Sequence, residues 1–385
     1  MAESADTEKA GTRPADTPTA TPTGRVRSVP RLVFTDAEAG ALEFPSSNSR
    51  SFNYFEPQRL KATVYEDVTV DVQPDPARYL TQDWVYGFAD RPGGYPADLT
   101  AAKSSDWHWF RDPNQEWEQT IYRNNARLVR QVEQNIANAR NEGAFERWSP
   151  DWAKTVETHV GAWMHAEHGL GMHVFLPAQR DAPTNMINNA MAVGAAHKLR
   201  FAQDLILYNL TLSEEIDGFE GGVHKQTWQQ DPIWQSTREL TEQLTGIRDW
   251  SEQLFATTVV FEPLVGELFR SGFVMQVAAP HGDFVTPTII GAGEADAARD
   301  QRAARVLFRM LSDDAAHGPD NREIMQGWLE TYVPRAVEAG RQLQPIWSQL
   351  SDKVIRFEDS FERSRARMET LLGEIGLEAP KEVQA

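Results

Sequence analysis

The sequence predicts an all-α protein, a bundle of long helices preceded by a long irregular N-terminal arm. After Pro113, apolar residues recur at helical spacing for nearly all of the remaining chain, each stretch bounded by Pro, Gly or an N-cap residue. Several stretches run about 30 residues, or roughly 45 Å, well beyond the about three to four turns of an ordinary helix. Before Pro113 no helical period is sustained, and Pro45, Pro57, Pro74, Pro76, Pro92 and Pro96 punctuate the chain among scattered aromatics.

Residues 1–25 are rich in Thr, Ala and Pro and hold too few large apolar side chains to offset the entropy of ordering, so they are expected to be a disordered tail. Residues 26–112 form the aromatic, proline-rich arm, with one short extended piece expected at "ATVYEDVTVDV". Residues 113–378 form the helical domain, with helices expected at about 114–141, 149–178, 184–217, 235–250, 251–279, 294–314, 319–349 and 351–376. Ser149 and Pro150 supply an N-cap and first helical residue, and Thr184 follows Pro183. "GAGEAD" at 291–296 reads as a Gly-rich turn entering a helix, and Pro334 and Pro345 as kinks within the late helix. "RFEDSFERSRARMETLLGEIG" places Phe357, Phe361, Met368 and Leu371 or Leu372 among alternating charges, an amphipathic surface helix. Residues 379–385 are a short tail. Long antiparallel helices with short connections imply a ferritin-like helical bundle.

Composition removes several function classes. A formal charge of -18 repels phosphate and argues against nucleic acid as a partner. The longest apolar stretch, "LFATTVVFEPLVGELF", is broken by Glu262, Pro263 and Glu267, so no membrane span is expected. The N-terminus lacks the basic flank and apolar stretch of a secretory signal and the chain has no cysteine, which reads as cytoplasmic. Twelve tryptophans point toward a partner subunit, because large aromatics are enriched at interfaces. No internal repeat, GxGxxG, P-loop or GxSxG motif is present.

"AWMHAEHGLGMH", residues 162–173, concentrates three of the nine histidines beside Glu167 and invites a metal reading. Ferritin-like di-iron sites use a Glu from each of two helices and a Glu-x-x-His pair from each of two others. Stepping back three residues from every histidine finds no glutamate, and the one surrogate, Asp314 with His317, adjoins Gly318 and Pro319 at a helix end. With Glu157 at 0° and about 100° per residue, His165 falls near 80°, His168 near 20°, His173 near 160°, His159 near 200° and Glu167 near 280°. The histidines divide between two faces, and His197 on the following helix brings no carboxylate at its i-3 position. They read as packing or hydrogen-bonded side chains. Glu262 and Glu267 interrupt an apolar helix, so one of them faces inward and needs an arginine or hydrogen-bond partner. Glu214, Glu215, Asp217 and Glu220 read as a solvated helix end. No catalytic, cofactor-binding or metal-ligating residue is assigned.

Five segments, "RSVPRLVFTDAEAGALEFPSSNSRSFNYFEP", "ATVYEDVTVDVQPDP", "WHWFRDPNQEWEQTIYRNNARLV", "LGMHVFLPAQRDAPTNMINNAMAVGAAHKLRFAQDLILYNLTL" and "WLETYVPRAVEAGRQLQPIWS", resemble the small, or beta, hydroxylase subunit of soluble di-iron monooxygenases, of the actinobacterial propane 2-monooxygenase type. The resemblance runs from about Arg27 to Gly376. It implies a ferritin-like bundle that binds no cofactor itself and pairs with a homologous large (alpha) subunit carrying the di-iron centre, in an alpha2beta2 assembly. It further implies NADH, with flavin and iron-sulfur groups in a reductase component, and a small coupling protein. The oxidation of propane to 2-propanol is the implied reaction; a related tetrahydrofuran, phenol or toluene system, or an independent di-iron oxidase with atypical ligands, are the alternatives. In this setting Phe52, Tyr54, Phe55, Tyr65, Trp84 and Tyr86 of the arm are expected to bury against the large subunit.

Overall fold

The computed structural model describes residues 58–59, 61–69, 99–350 and 355–384, and every regular element among them is helical. A short helix α1, Val64–Thr69, precedes α2, Glu118–Asn141. Helix α3 is one continuous rod over residues 150–181, and α4 is Asn185–Glu215. After α5, Val223–Gln230, and α6, Pro232–Gly246, comes a second rod, α7, over residues 250–277. Then follow α8, Thr286–Ser312; α9, Gly318–Gln342; α10, Gln344–Ser348; and α11, Phe357–Ile375.

Rod α7 is the axle of the bundle, packed against α8, α9 and α11, while α3 and α8 both pack on α4. It is apolar nearly all round, as a helix surrounded by other helices must be. Between Ala256 and Val274 it winds as a π-helix, and α3 has shorter π turns at Val156–Val160 and Gly171–Phe175. Aromatic rings fill the centre: Trp163 of α3 stacks on Phe269 of α7 at 4.9 Å, and Phe273 meets Trp347 at 4.7 Å. Trp148, Trp152, Trp163, Trp228, Trp234, Trp250, Trp328 and Trp347 are all buried in this chain. Most of the tryptophan excess therefore serves this chain's own core and not a partner.

Several sequence expectations are corrected. Val64–Thr69, expected as extended, is helical because the Glu66 side chain accepts the Thr63 backbone N–H at 3.0 Å while the Thr63 hydroxyl caps the Glu66 N–H at 3.2 Å. Tyr65 buries against its own chain, its hydroxyl accepting the Asp112 N–H at 3.0 Å. The other named arm aromatics, and residues 1–25, lie outside the described residues. Residues 99–112 belong to the bundle, with Ala102 and Phe110 in the core. "GAGEAD" is not a turn: Asp283 Oδ1 accepts the Val285 and Thr286 N–H groups at 2.9 Å and starts α8 eight residues earlier than expected. Pro334 does lie inside α9, but Pro345 opens the separate helix α10 and kinks nothing. Helix α5 was not expected, and the terminal tail returns to place Val383 in the core.

Gly340 of α9 crosses α7 so closely that an added Cβ would sit 2.9 Å from the Leu264 carbonyl oxygen. Because that neighbour is backbone, Gly340→Ala is expected to cost about 1–3 kcal/mol by forcing the helices apart. Gly327→Ala on the same helix meets open space and is expected to stabilise by about 0.5–1 kcal/mol. Urea midpoints of the two variants moving in the same direction would contradict this account.

Candidate functional site at the bundle centre

One residue from each of four helices meets in the interior: Glu167 of α3, Lys198 of α4, Glu262 of α7 and Glu294 of α8, with Arg270 of α7 among them. Arg270 reaches Glu167 at 3.0 Å, Glu262 at 2.6 Å and Glu294 at 2.7 Å, and so spends all three guanidinium nitrogens on carboxylates. Lys198 Nζ lies 2.8 Å from Glu167 and also pairs with Glu262. The Trp163 indole donates to Glu167 at 2.8 Å, and the Arg270 guanidinium sits 5.7 Å from the centroid of the same ring. Four of the five ionic groups are sealed from solvent, only Glu294 being partly exposed.

Burial alone would raise the Glu262 carboxyl, but Arg270 and then Lys198 outweigh it and hold the group at about 2. Burial pulls Lys198 down, and Glu167 and Glu262 more than restore it, leaving the ammonium charged. The space for this arrangement is made by Gly266, where a Cβ would lie 2.6 Å from Glu262 Oε2 and 2.9 Å from Arg270 Nη1. Glu262, Gly266 and Arg270 are four residues apart in succession, which brings them to one side of the widened helix.

The donor set does not fit a pair of metal ions. All three carboxylates are already engaged by two cations that belong to the chain, which balance two of the three charges and leave the third to the partly exposed Glu294. Three residues beyond Glu167, Glu262 and Glu294, where a Glu-x-x-His pair would place imidazole, stand the buried apolar residues Leu170, Val265 and Ala297. Among the described residues no group of three or more His, Asp or Glu side chains is arranged to hold a metal ion.

The residues weighed from sequence are dispersed. His159 accepts the Trp234 indole N–H at Nδ1, 3.0 Å, and faces Gln349 Oε1 at 3.2 Å through Nε2, so it is a neutral Nε2–H tautomer, and burial lowers its pKa. His165 meets His224 at 3.0 Å and is pushed down to about 4 by burial and by that neighbour. His168 and His173 are exposed. Asp314 accepts Ser105, Ala316 and His317 N–H groups, a structural cap far from any ligand set. Glu157 accepts the Glu220 N–H, and Arg140 pairs with Glu215 at 2.5 Å. Of the two carboxylates in the apolar helix, Glu262 faces inward to an arginine, as expected, while Glu267 pairs with Arg367 near the surface. Sequence reasoning missed Glu167, Lys198 and Arg270 as a unit. The π turn at Val156–Val160 upsets the even 100° steps that set Glu167 near 280° from Glu157.

A second buried network lies between α4, α8 and the segment that leads into α2. His197 Nδ1 meets Asp300 at 2.8 Å, and its Nε2 lies 3.5 Å from Glu116 and 3.8 Å from Asp296. Burial lowers its pKa, but Asp300, Asp296 and Glu116 together raise it above the ordinary value. Arg200 pairs with Asp204 and Asp296 beside it.

Comparison with known proteins gives a consistent picture. The family model for methane/phenol/alkene hydroxylase matches residues 84–315. The chain is 55% identical over 365 residues to the small subunit of the hydroxylase component of propane 2-monooxygenase from Rhodococcus jostii (strain RHA1), covering 95% of this chain and 99% of that one. It is 24% identical over 356 residues to the beta chain of methane monooxygenase component A from Methylosinus trichosporium, covering 87% of each. A solved structure of toluene 4-monooxygenase with toluene in its resting active site shares the fold, with a TM-score of 0.64 at 22% identity over 77% of this chain and 100% of that chain.

Lys198→Met removes one of the two cations and leaves Glu167 and Glu262 under-neutralised in a dry site, so a loss of about 3–5 kcal/mol is expected in chemical denaturation. A change below about 1 kcal/mol would mean that the network is not sealed as described. The pH dependence has a definite sign. The Glu262 carboxyl titrates lower when folded, from 4.5 to about 2, so the folded state holds fewer protons. Its stabilisation is complete above about pH 4.5 and fades as pH falls toward 2. Wild-type protein should lose stability over that window more steeply than Glu262→Gln, as read by denaturation midpoints at successive pH values.

Proposed function

The chain belongs to the methane/phenol/alkene hydroxylase family, and on that premise we propose that it is an iron-free small subunit of a propane 2-monooxygenase-type hydroxylase, supporting a large subunit that carries the di-iron centre. The family membership makes it a component of a multicomponent monooxygenase. The single observation that supports an iron-free role is the ionic cluster itself: Lys198 and Arg270 fill the centre of the four helices and pair with Glu167, Glu262 and Glu294 from within the chain. A centre so filled cannot offer open coordination positions to metal and oxygen, and it gives the bundle rigidity without a cofactor. Oxidation of propane to 2-propanol, electrons from NADH through a reductase with flavin and iron-sulfur groups, a coupling protein, an alpha2beta2 assembly and a cytoplasmic location complete the reading. The 55% identity to a propane 2-monooxygenase small subunit supports the substrate. No helix among the described residues is long and apolar enough to cross a membrane.

The test is to co-express this chain with a large hydroxylase subunit of the same type, separate the two, and measure iron on each. Iron is expected to partition wholly with the large subunit, and about two equivalents on this chain would overturn the reading. Feeding propane to cells carrying the complete set of components should yield 2-propanol; conversion of phenol or toluene with propane untouched would reassign the substrate.

A further inference from the structure

Helix α4 buries apolar residues such as Phe201, Leu205 and Leu212, but it also buries charge and leaves large apolar side chains outside. His197, Lys198, Arg200 and Asp204 are all buried, whereas Ile206, Leu207 and Leu210 stand 41%, 63% and 53% exposed. A helix on the surface of a monomer shows the opposite, with charge outward and Leu or Ile inward. Placed at 100° per residue, Ala192, Leu199, Gln203, Ile206, Leu207 and Leu210 fall on one face, a row about 27 Å long that holds no charge. A strip of that length, apolar except for Gln203, is more than a soluble monomer commonly leaves in water.

The flank of the strip carries a second feature. Helix α2 runs parallel beside α4, tied at one end by Asn189 to the Glu116 carbonyl at 2.7 Å and at the other by Arg140 to Glu215. Its Tyr122 is 65% exposed. Its side opposite the core presents Arg123, Arg127 and Arg130 at i, i+4 and i+7, and among the described residues none of the three has an ion-pair partner. Unpaired arginines in one row are conspicuous on a chain of net charge -18. An apolar strip with a cationic edge fits a partner that offers an apolar helical face bordered by carboxylates. A second copy of this chain is a poorer fit, since two bodies of charge -18 repel as they approach.

We propose that the outward face of α4, edged by the arginine row of α2, is the surface on which the large hydroxylase subunit docks. This rests on the assignment of the chain as a small hydroxylase subunit. The chain has no cysteine, so one introduced thiol reports on one place. Leu207→Cys and, as a reference, Ala366→Cys on exposed α11 are co-expressed with the large subunit, and alkylation of this chain is followed by mass spectrometry in the assembled hydroxylase. The thiol from Leu207→Cys is expected to react at least about tenfold more slowly than that from Ala366→Cys. Leu207→Glu with Leu210→Glu should release this subunit from the large one on size exclusion, and Arg127→Glu should weaken the association most at low salt. Equal alkylation rates in an intact assembly would overturn the proposal. So would protection that persists in this chain by itself, which would assign the cover to a second copy if the chain is dimeric, or to its own N-terminal segment if monomeric. Failure of the wild-type chain to co-purify with any large subunit would instead overturn the functional assignment.

Discussion

Two cations anchored to the chain, Lys198 and Arg270, sit where four helices meet, and the rest of the interior is arranged around neutralising them. Carboxylates buried without such partners would be severely destabilising, and so would the cations without the carboxylates. The neighbourhood follows from that constraint. Trp163 donates an indole N–H to Glu167 and covers Arg270 with its ring, and Gly266 leaves room for the paired head groups. A cluster of this kind trades net stability against an apolar core for a fixed register, because rotating any one helix would leave a bare charge in a dry environment.

The same device recurs a few residues away. His197 lies between Asp300, Asp296 and Glu116, and Arg200 between Asp204 and Asp296, so that α4, α8 and the segment leading into α2 are joined by charge instead of by apolar contact alone. Because α4 spends its charged residues on these two inner networks, its outer face is left to Leu and Ile. Interior electrostatics and surface character are thus two consequences of one helix orientation. The proposed docking face would complete such a subunit by association, and relatives of this chain are named as subunits of hydroxylase components.

The parts of the structure legible in the sequence are those governed by local rules. Helix α4 spans nearly the expected range because Thr184 caps Ile187 and the apolar residues keep helical period. The start of α3 follows Ser149 and Pro150 as read. That one of Glu262 and Glu267 turns inward to a partner was legible, since both interrupt an apolar run; that it is Glu262, while Glu267 reaches Arg367 near the surface, was not. The start of α8 was not legible, because Gly291 and Gly293 look like turn residues until Phe201 is seen to occupy the space where a Gly293 Cβ would stand. The histidines of residues 159–173 drew attention by number, yet His159 answers to Trp234 and Gln349, His165 to His224, and His168 and His173 face outward, which spacing along one helix cannot show.

What the sequence determined by itself is the class of the fold, the approximate placement of its long helices and the lack of any Glu-x-x-His pair, since each depends on neighbours within about one helical turn. The tertiary structure alone decided which charges meet. Glu167, Lys198, Glu262, Arg270 and Glu294 come from four helices spread over more than a hundred residues, and two of those helices contain π turns that break the even angular count. Contacts between distant segments depend on how the helices rotate as they pack, and that rotation is fixed only when all of them are present.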